Sequence, residues 1–498
     1  MTALSVAGVD CAYLRSEDPE PEDLAEAVVA LTDITHDFPR GSATLITGPS
    51  GCGKSTLLRL LNGLIPHVTP AQVAGTVTID GLDALATDLT ELGQRTATIF
   101  QNPRNQFFAA TVAEELAFAR QQAGEPRDQI LQAIGAAADR IGISAWLPRG
   151  LQSMSGGELQ RVACGTALAS PASIFLFDEP TSNLSPEAID EITEILAVMK
   201  AAGATLVIAE HRIYYLRGLV DTVITMTDGT VERVWTAAEF FALSDVERRT
   251  RGLRTLTRPT LELAPRATAT DEGASGLTIR DFRFSYGSRR VLDIDSLAFP
   301  AGQVSAILGP NGVGKTTLCR VIVGLASPEK GGVIAWNARR ASKRQRQATS
   351  SLVMQDVHRQ LFSGSVLDEV RTGTKSRADI DVPALLDQLE LGALADRHPM
   401  SLSGGQKQRL VIASVIADDA RVVVFDEPTS GVDHRHLTEI AARIRDVASR
   451  GVAVIVVSHD IEFVSACADR LVHLGAPNNA GRSPVSVTEH PLAHEGAP

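Results

Sequence analysis

The 498-residue chain has 44% hydrophobic residues and a formal charge of −12, enough apolar material for two to four ordinary cores and no general attraction to nucleic acid phosphates. Five scattered cysteines (Cys11, Cys52, Cys164, Cys319 and Cys467) form no CxxC pair, which argues against a disulfide framework or a zinc site. No apolar run approaches the roughly 20 residues of a membrane span, and the first residues lack a basic region followed by an apolar one, so neither a span nor a secretion signal is expected.

The first strand signal ends at Tyr13 and is followed by an acidic segment, LRSEDPEPEDLAEA. Next, the apolar run ATLIT leads into GPSGCGKST (Gly48, Pro49, Ser50, Gly51, Cys52, Gly53, Lys54, Ser55, Thr56) and then into the helix-like LLRLLNGL. This is a G-x-x-x-x-G-K-[ST] pattern in a strand–loop–helix context. The glycines let backbone N–H groups converge on phosphate oxygens, and the helix N-terminus adds partial positive charge. Lys54 then neutralises β- and γ-phosphates, and Ser55 offers a hydroxyl to Mg²⁺.

Further along, Ser155, Gly156 and Gly157 precede a helical run, a small-residue start with free N–H groups for an anion. ASIFLF then delivers Asp178 and Glu179 at the end of a buried strand, where open α/β sheets bind ligands. Asp178 suits a Mg²⁺ shell, and Glu179 suits a water attacking the γ-phosphate. His211 closes another β-rich run and is a candidate γ-phosphate contact.

The same signals return. GPNGVGKTT supplies Gly309, Pro310, Asn311, Gly312, Val313, Gly314, Lys315, Thr316 and Thr317, preceded by a strand signal ending in Tyr286. Ser155 and Ser403, Asp178 and Asp426, and His211 and His459 are each 248 residues apart. A fixed offset is the mark of a duplicated unit. The second copy therefore carries Thr316 and Asp426 for Mg²⁺, Glu427 for water, His459 for the γ-phosphate, and Ser403, Gly404, Gly405 and Gln406 at the helix start. Tyr13 and Tyr286 are candidates to stack on adenine. The expected fold is α/β, with two tandem P-loop domains, each having a mainly parallel sheet core, an antiparallel β part and a helical subdomain. The boundaries read as residues 1–240 and 277–475, with a linker at 241–276 and a flexible tail at 476–498.

Over nearly the whole chain these motifs resemble the ATP-binding cassette (ABC) family. The resemblance implies ATP hydrolysis with Mg²⁺ and makes Gln101 and Gln355 the Q-loop glutamines, which serve catalysis and join the metal shell. It also implies an intramolecular pseudo-dimer, with the Lys54 site completed by Ser403–Gln406 and the Lys315 site by Ser155–Glu158. FQNPRNQFF, and the matching glutamine spacing in MQDVHRQLF, is similar to energy-coupling factor (ECF) importers of vitamins or transition-metal ions. That resemblance implies a transmembrane coupling protein and a small substrate-binding membrane protein as partners, at the cytoplasmic face of the cell membrane. The alternatives are another importer ATPase, such as one for sugar, or a soluble ribosome- or DNA-acting protein. The loop after the acidic strand reads SNLSP in one copy and SGVDH in the other, so Ser185 stands where the second copy has Asp433. The Lys315 site is expected to turn over more slowly for that reason.

Overall fold

A computed structural model describes residues 1–14, 27–182, 184–261, 275–354, 360–373, 380–402, 404–418, 420–429, 431–475 and 485–489. Of the site residues above, Gln355 and Ser403 lie outside the described residues. The chain divides into two compact units. The first is Met1–Arg258 together with Gly431–Arg435, and the second is Pro259–Ser430 together with His436–Pro498.

The first unit contains β1 (Thr2–Tyr13), β2 (Val28–Pro39), β3 (Ala43–Thr47), β4 (Ala71–Ile79), β5 (Leu82–Asp83), β6 (Thr96–Ile99), β7 (Ile174–Asp178), β8 (Thr205–Ala209), β9 (Thr222–Thr227) and β10 (Thr230–Thr236). An antiparallel sheet has the order β2-β1-β4-β5, and a six-stranded sheet the order β10-β9-β3-β8-β7-β6. In the larger sheet only the β9–β10 pair is antiparallel. Every residue of β3 and β8 is buried, as expected of parallel strands covered on both faces. Alternation along β7 sends Phe175 and Phe177 to one core and Ile174 and Leu176 to the other. The first core packs under the helices Val112–Gln122 (α2), Arg127–Arg140 (α3), Gly156–Ala169 (α4) and Pro186–Ala201 (α5). The second packs under Lys54–Leu61 (α1) and the antiparallel sheet.

The second unit repeats the plan with β11 (Gly276–Tyr286), β12 (Arg289–Pro300), β13 (Val304–Leu308), β14 (Val333–Trp336), β15 (Arg339–Arg340), β16 (Ser350–Val353), β17 (Val422–Asp426), β18 (Ala453–Val457), β19 (Arg470–Leu474) and β20 (Val485–Glu489). Its sheets run β12-β11-β14-β15 and β16-β17-β18-β13-β19-β20. In both units the phosphate-loop strand is flanked by the histidine strand, which in turn borders the acidic strand. That order brings three separated motifs to one sheet edge.

Two segments are more ordered than composition suggests. Residues 245–250 form a short helix with a Ser244–Glu247 capping box, and Leu253 and Leu256 behind it enter the core of the first unit. Buried Arg248 donates to Leu253 O at 2.7 Å, satisfying a backbone group that the turn leaves open. Residues 485–489, within the stretch read as a tail, pair antiparallel with β19. Among the described residues, no helix is long and apolar enough to cross a membrane.

Candidate nucleotide sites

Each phosphate loop is shaped by glycines that nothing larger can replace. A Cβ on Gly48 would lie 2.1 Å from Met226 O, and one on Gly309 would lie 2.2 Å from Leu474 O. The loops close onto helices starting at Lys54 and at Lys315 (α6, Lys315–Ile322), each preceded by a left-handed glycine. The Lys54 ammonium donates to Gly48 O at 3.0 Å and Pro49 O at 2.9 Å, and Lys315 donates to Gly309 O at 2.7 Å and Pro310 O at 3.0 Å. Both cations are thus held at the loop mouth, beside the free N–H groups of a helix start. In the first unit Ser50 N also donates to Asp433 Oδ2 at 2.7 Å.

Helix and acidic strand meet at the hydroxyl. Ser55 Oγ donates to Asp178 Oδ1 at 3.0 Å, and Thr316 Oγ1 to Asp426 Oδ2 at 3.3 Å. Burial raises the carboxyl pKa of both aspartates, while the hydroxyl bond and nearby Lys and Arg charges oppose the rise. A hydroxyl and a desolvated carboxylate side by side fit a hard divalent ion that draws its other oxygens from phosphate and water.

The next residue turns away. Glu179 and Glu427 adopt φ of 47° and 51°, a left-handed conformation uncommon outside glycine. Each is pinned by its backbone N–H, to Ala209 O and Val457 O respectively, both at 2.8 Å. The twist separates the glutamate carboxylate from the aspartate before it, and the same strained turn is kept in both copies. Glu179 Oε1 lies 3.6 Å from His211 Nε2, and Glu427 Oε1 lies 3.8 Å from His459 Nε2. Gln101 Nε2 donates to Glu179 Oε2 at 2.9 Å. Burial, then the charges of Glu210 and Asp178, push the Glu179 pKa up to about 8 against the opposing pull of Lys54.

The glutamine-spaced loops have an internal logic. The second glutamine of each pattern folds back on the residue preceding the first. Gln106 Oε1 accepts from Phe100 N at 3.0 Å, and Gln360 Oε1 accepts from Met354 N at 2.9 Å. Beyond this brace, buried Glu115 accepts from Phe108 N and Ala109 N, both at 2.9 Å. Glu369 does the same for Phe362 N at 2.9 Å and Ser363 N at 2.7 Å. The clamped turns hold Phe108 and Phe362 outward, 76% and 83% exposed.

At the small-residue motifs, Ser155 caps α4 in a capping box with Glu158, whose carboxylate accepts from Ser155 N at 2.8 Å and pairs with Arg149 at 2.8 Å. Gly404 and Gly405 open the equivalent helix, Gly404–Ala417 (α7). The Tyr13 hydroxyl lies 2.9 Å from Thr56 Oγ1, tying that ring to the phosphate-loop helix, whereas Tyr286 is 54% exposed and packs edge-on to Phe284. The structure therefore gathers the phosphate loop, aspartate, glutamate and histidine in both copies, and Gln101 in the first. Sequence reading missed Glu115, Glu369 and Glu210; the spacing shared by Glu115 and Glu369 was a usable signal, and the unlike position of Glu210 offered none.

An ABC transporter family model matches residues 31–182 and 292–430. A Treponema denticola protein provisionally named an ABC transporter ATP-binding protein is 36% identical over 449 residues, covering 89% of this chain and 91% of that protein. The Bacillus subtilis protein YkoD, provisionally named for HMP/thiamine import ATP binding, is 28% identical over 470 residues, covering 89% of this chain and 86% of that protein. A solved complex of archaeal ribosomal stalk protein aP1 and the ribosome recycling factor aABCE1 matches with TM-score 0.61 and 23% identity, covering 96% of this chain and 90% of that chain, which speaks to fold alone. With both cassette regions matched and the site motifs present in each, this chain belongs to the ABC transporter family and is an ATP-binding ATPase built from tandem cassettes.

Proposed function

We propose that the chain is the energy-coupling subunit of a membrane importer, of the ECF type, for a vitamin or a transition-metal ion. The observation that carries this reading is the pair of glutamate-clamped turns that present Phe108 and Phe362, seven residues beyond Gln101 and Gln355. A large exposed aromatic on a braced turn is a docking feature for an apolar partner surface. In the first copy this loop begins at Gln101, which touches the Glu179 carboxylate, so movement of the partner and hydrolysis share one loop there. The import-related name of YkoD agrees with this reading.

In this mechanism Lys54 and Lys315 leave the loop carbonyls for the β- and γ-phosphates of ATP. Ser55, Asp178 and Gln101 would hold Mg²⁺ in the first copy, and Thr316, Asp426 and Gln355 in the second. When bound, the ion neutralises charge developing on the transferred phosphoryl group. Glu179 and Glu427 orient the attacking water, and His211 and His459 contact the γ-phosphate. Tyr13 and Tyr286 face the adenine. The chain works at the cytoplasmic face of the membrane, with a transmembrane coupling protein and a small substrate-binding membrane protein.

Fractionation tests the reading. The chain is expected in the membrane fraction with small integral partners, and changing Phe108→Ala together with Phe362→Ala is expected to release it. Recovery with ribosomes or DNA instead would overturn import.

A further inference from the structure

The two histidine turns are built from different carboxylates. In the first copy Glu210 precedes His211; in the second the same place holds Ser458, and the acid, Asp460, follows His459. Glu210 is 3% exposed and its carboxylate accepts from five donors. Oε1 takes Thr181 N at 3.3 Å, the Thr181 hydroxyl, and the Tyr215 hydroxyl at 3.3 Å. Oε2 takes His211 N at 2.8 Å and Arg212 N at 3.3 Å. Burying a carboxylate is costly unless its lone pairs are met, and here all four lone-pair sites have donors within reach. One acid therefore ties the loop behind Glu179 to the turn that carries His211.

The second copy makes the same tie with another residue. Thr429, the counterpart of Thr181, donates to Asp460 Oδ2 at 3.4 Å, and Asp460 Oδ1 also caps the helix Ile461–Cys467 (α8) through Phe463 N at 3.3 Å. Phe463 stands where the first copy has Tyr215. The histidine amide changes hands as a result. His459 N points at the hydrolytic carboxylate, 3.3 Å from Glu427 Oε2, whereas His211 N is held by Glu210. In the first copy Glu179 Oε2 is instead met by the Gln101 side chain.

We propose that Glu210 is a positioning residue of the first site: by taking the His211 amide and the Thr181 hydroxyl, it sets the Glu179–His211 pair and leaves Glu179 dependent on Gln101. The inference rests on Glu179 being the water-orienting residue. Losing Glu210 leaves Thr181, Tyr215 and the His211 turn without their shared acceptor, so hydrolysis slows while the phosphate loop, and hence ATP affinity, is untouched. Supplying the acid from the following position restores the tie in the second copy's form.

The test uses the full chain carrying Glu427→Gln, so that single-turnover phosphate release reports the first site, with thermal melting as a fold control. Glu210→Gln and Glu210→Ser are expected to lower the maximal rate by about tenfold, with the KM for ATP within about twofold. The graft Glu210→Ser with Arg212→Asp and Tyr215→Phe is expected to recover most of that loss. In the graft, Gln101→Ala should cost less than it does beside native Glu210, because the His211 amide is no longer held by Glu210 and can turn to Glu179, as His459 N does to Glu427. Rates within about twofold of the parent for both Glu210 variants, or a graft that melts normally and recovers nothing, would overturn the proposal. Glu179→Gln in the same background separates the two readings. If it leaves the rate intact, the assignment of Glu179 fails; if it abolishes the rate while the Glu210 variants do not lower it, only the present inference fails.

Discussion

At the loop after each acidic strand the two copies spend equivalent positions differently. Ser185 turns its hydroxyl back to Ala188 N at 3.4 Å as the N-cap of α5, while Asp433 reaches outward to Ser50 N at 2.7 Å in the phosphate loop of the first unit. The small-residue motifs diverge in the same sense. Glu158 folds its carboxylate over Ser155 and is held there by Arg149, with hydrogen bonds overcoming burial to keep its pKa below the usual carboxylate range, whereas neutral Gln406 occupies that place in the second copy. A phosphate approaching Ser155 meets a like charge; one approaching Gln406 does not. Two sheets of the same order can thus carry unequal chemistry, because the differences lie in loops that the core does not constrain.

The largest effect that bears on this comparison removes both sites at once. Lys54→Ala with Lys315→Ala is expected to lower ATP turnover by at least about a hundredfold and to abolish nucleotide retention on a filter, because no other side chain in the loop supplies the charge. Of the two single changes, Lys54→Ala should cost more turnover, reflecting the site that holds Asp433.

A second effect concerns that aspartate. Asp433→Ala should slow hydrolysis by about tenfold in single-turnover assays of a chain carrying Glu427→Gln. Ser185→Asp should leave melting nearly unchanged, since Asp and Ser are equivalent N-caps to within a few tenths of a kcal/mol. If Ser185→Asp also speeds phosphate release in a chain carrying Glu179→Gln, the serine itself limits the Lys315 site.

The smallest expected effect is on stability. Between the ordinary carboxylate range and about 8, folded Glu179 retains a proton that the unfolded chain has lost, so stability falls as pH rises through that window. Glu179→Gln removes this dependence. Its melting temperature in EDTA without nucleotide should therefore match the parent near about pH 4 and exceed it increasingly toward about pH 8. A constant difference across that range would place the raised pKa elsewhere.

Much of this architecture was legible in the sequence because the relevant signals are local. Gly48 and Gly309 sit where any side chain would strike a carbonyl, and the apolar runs before Asp178 and Asp426 are strands buried on both faces. The constant 248-residue offset then placed the glutamates and histidines by counting. What stayed hidden is which partner a side chain finds once the loops have folded, even where that partner is near in sequence. Glu115 reads as one more acid in a helix until its carboxylate is seen to accept two loop amides, and Glu210 has no acidic counterpart at the 248-residue offset, where Ser458 stands. The order of residues 245–258 was hidden too, since arginines and threonines conceal two leucines that enter a core.

The central claim is that both cassettes hydrolyse ATP through Glu179 and Glu427 but at unequal sites. Steady-state ATPase activity of Glu179→Gln measured beside Glu427→Gln tests it most directly. Both are expected to fall by orders of magnitude while still binding ATP, with the Glu179 variant falling further by about tenfold. Equal losses would contradict the claim.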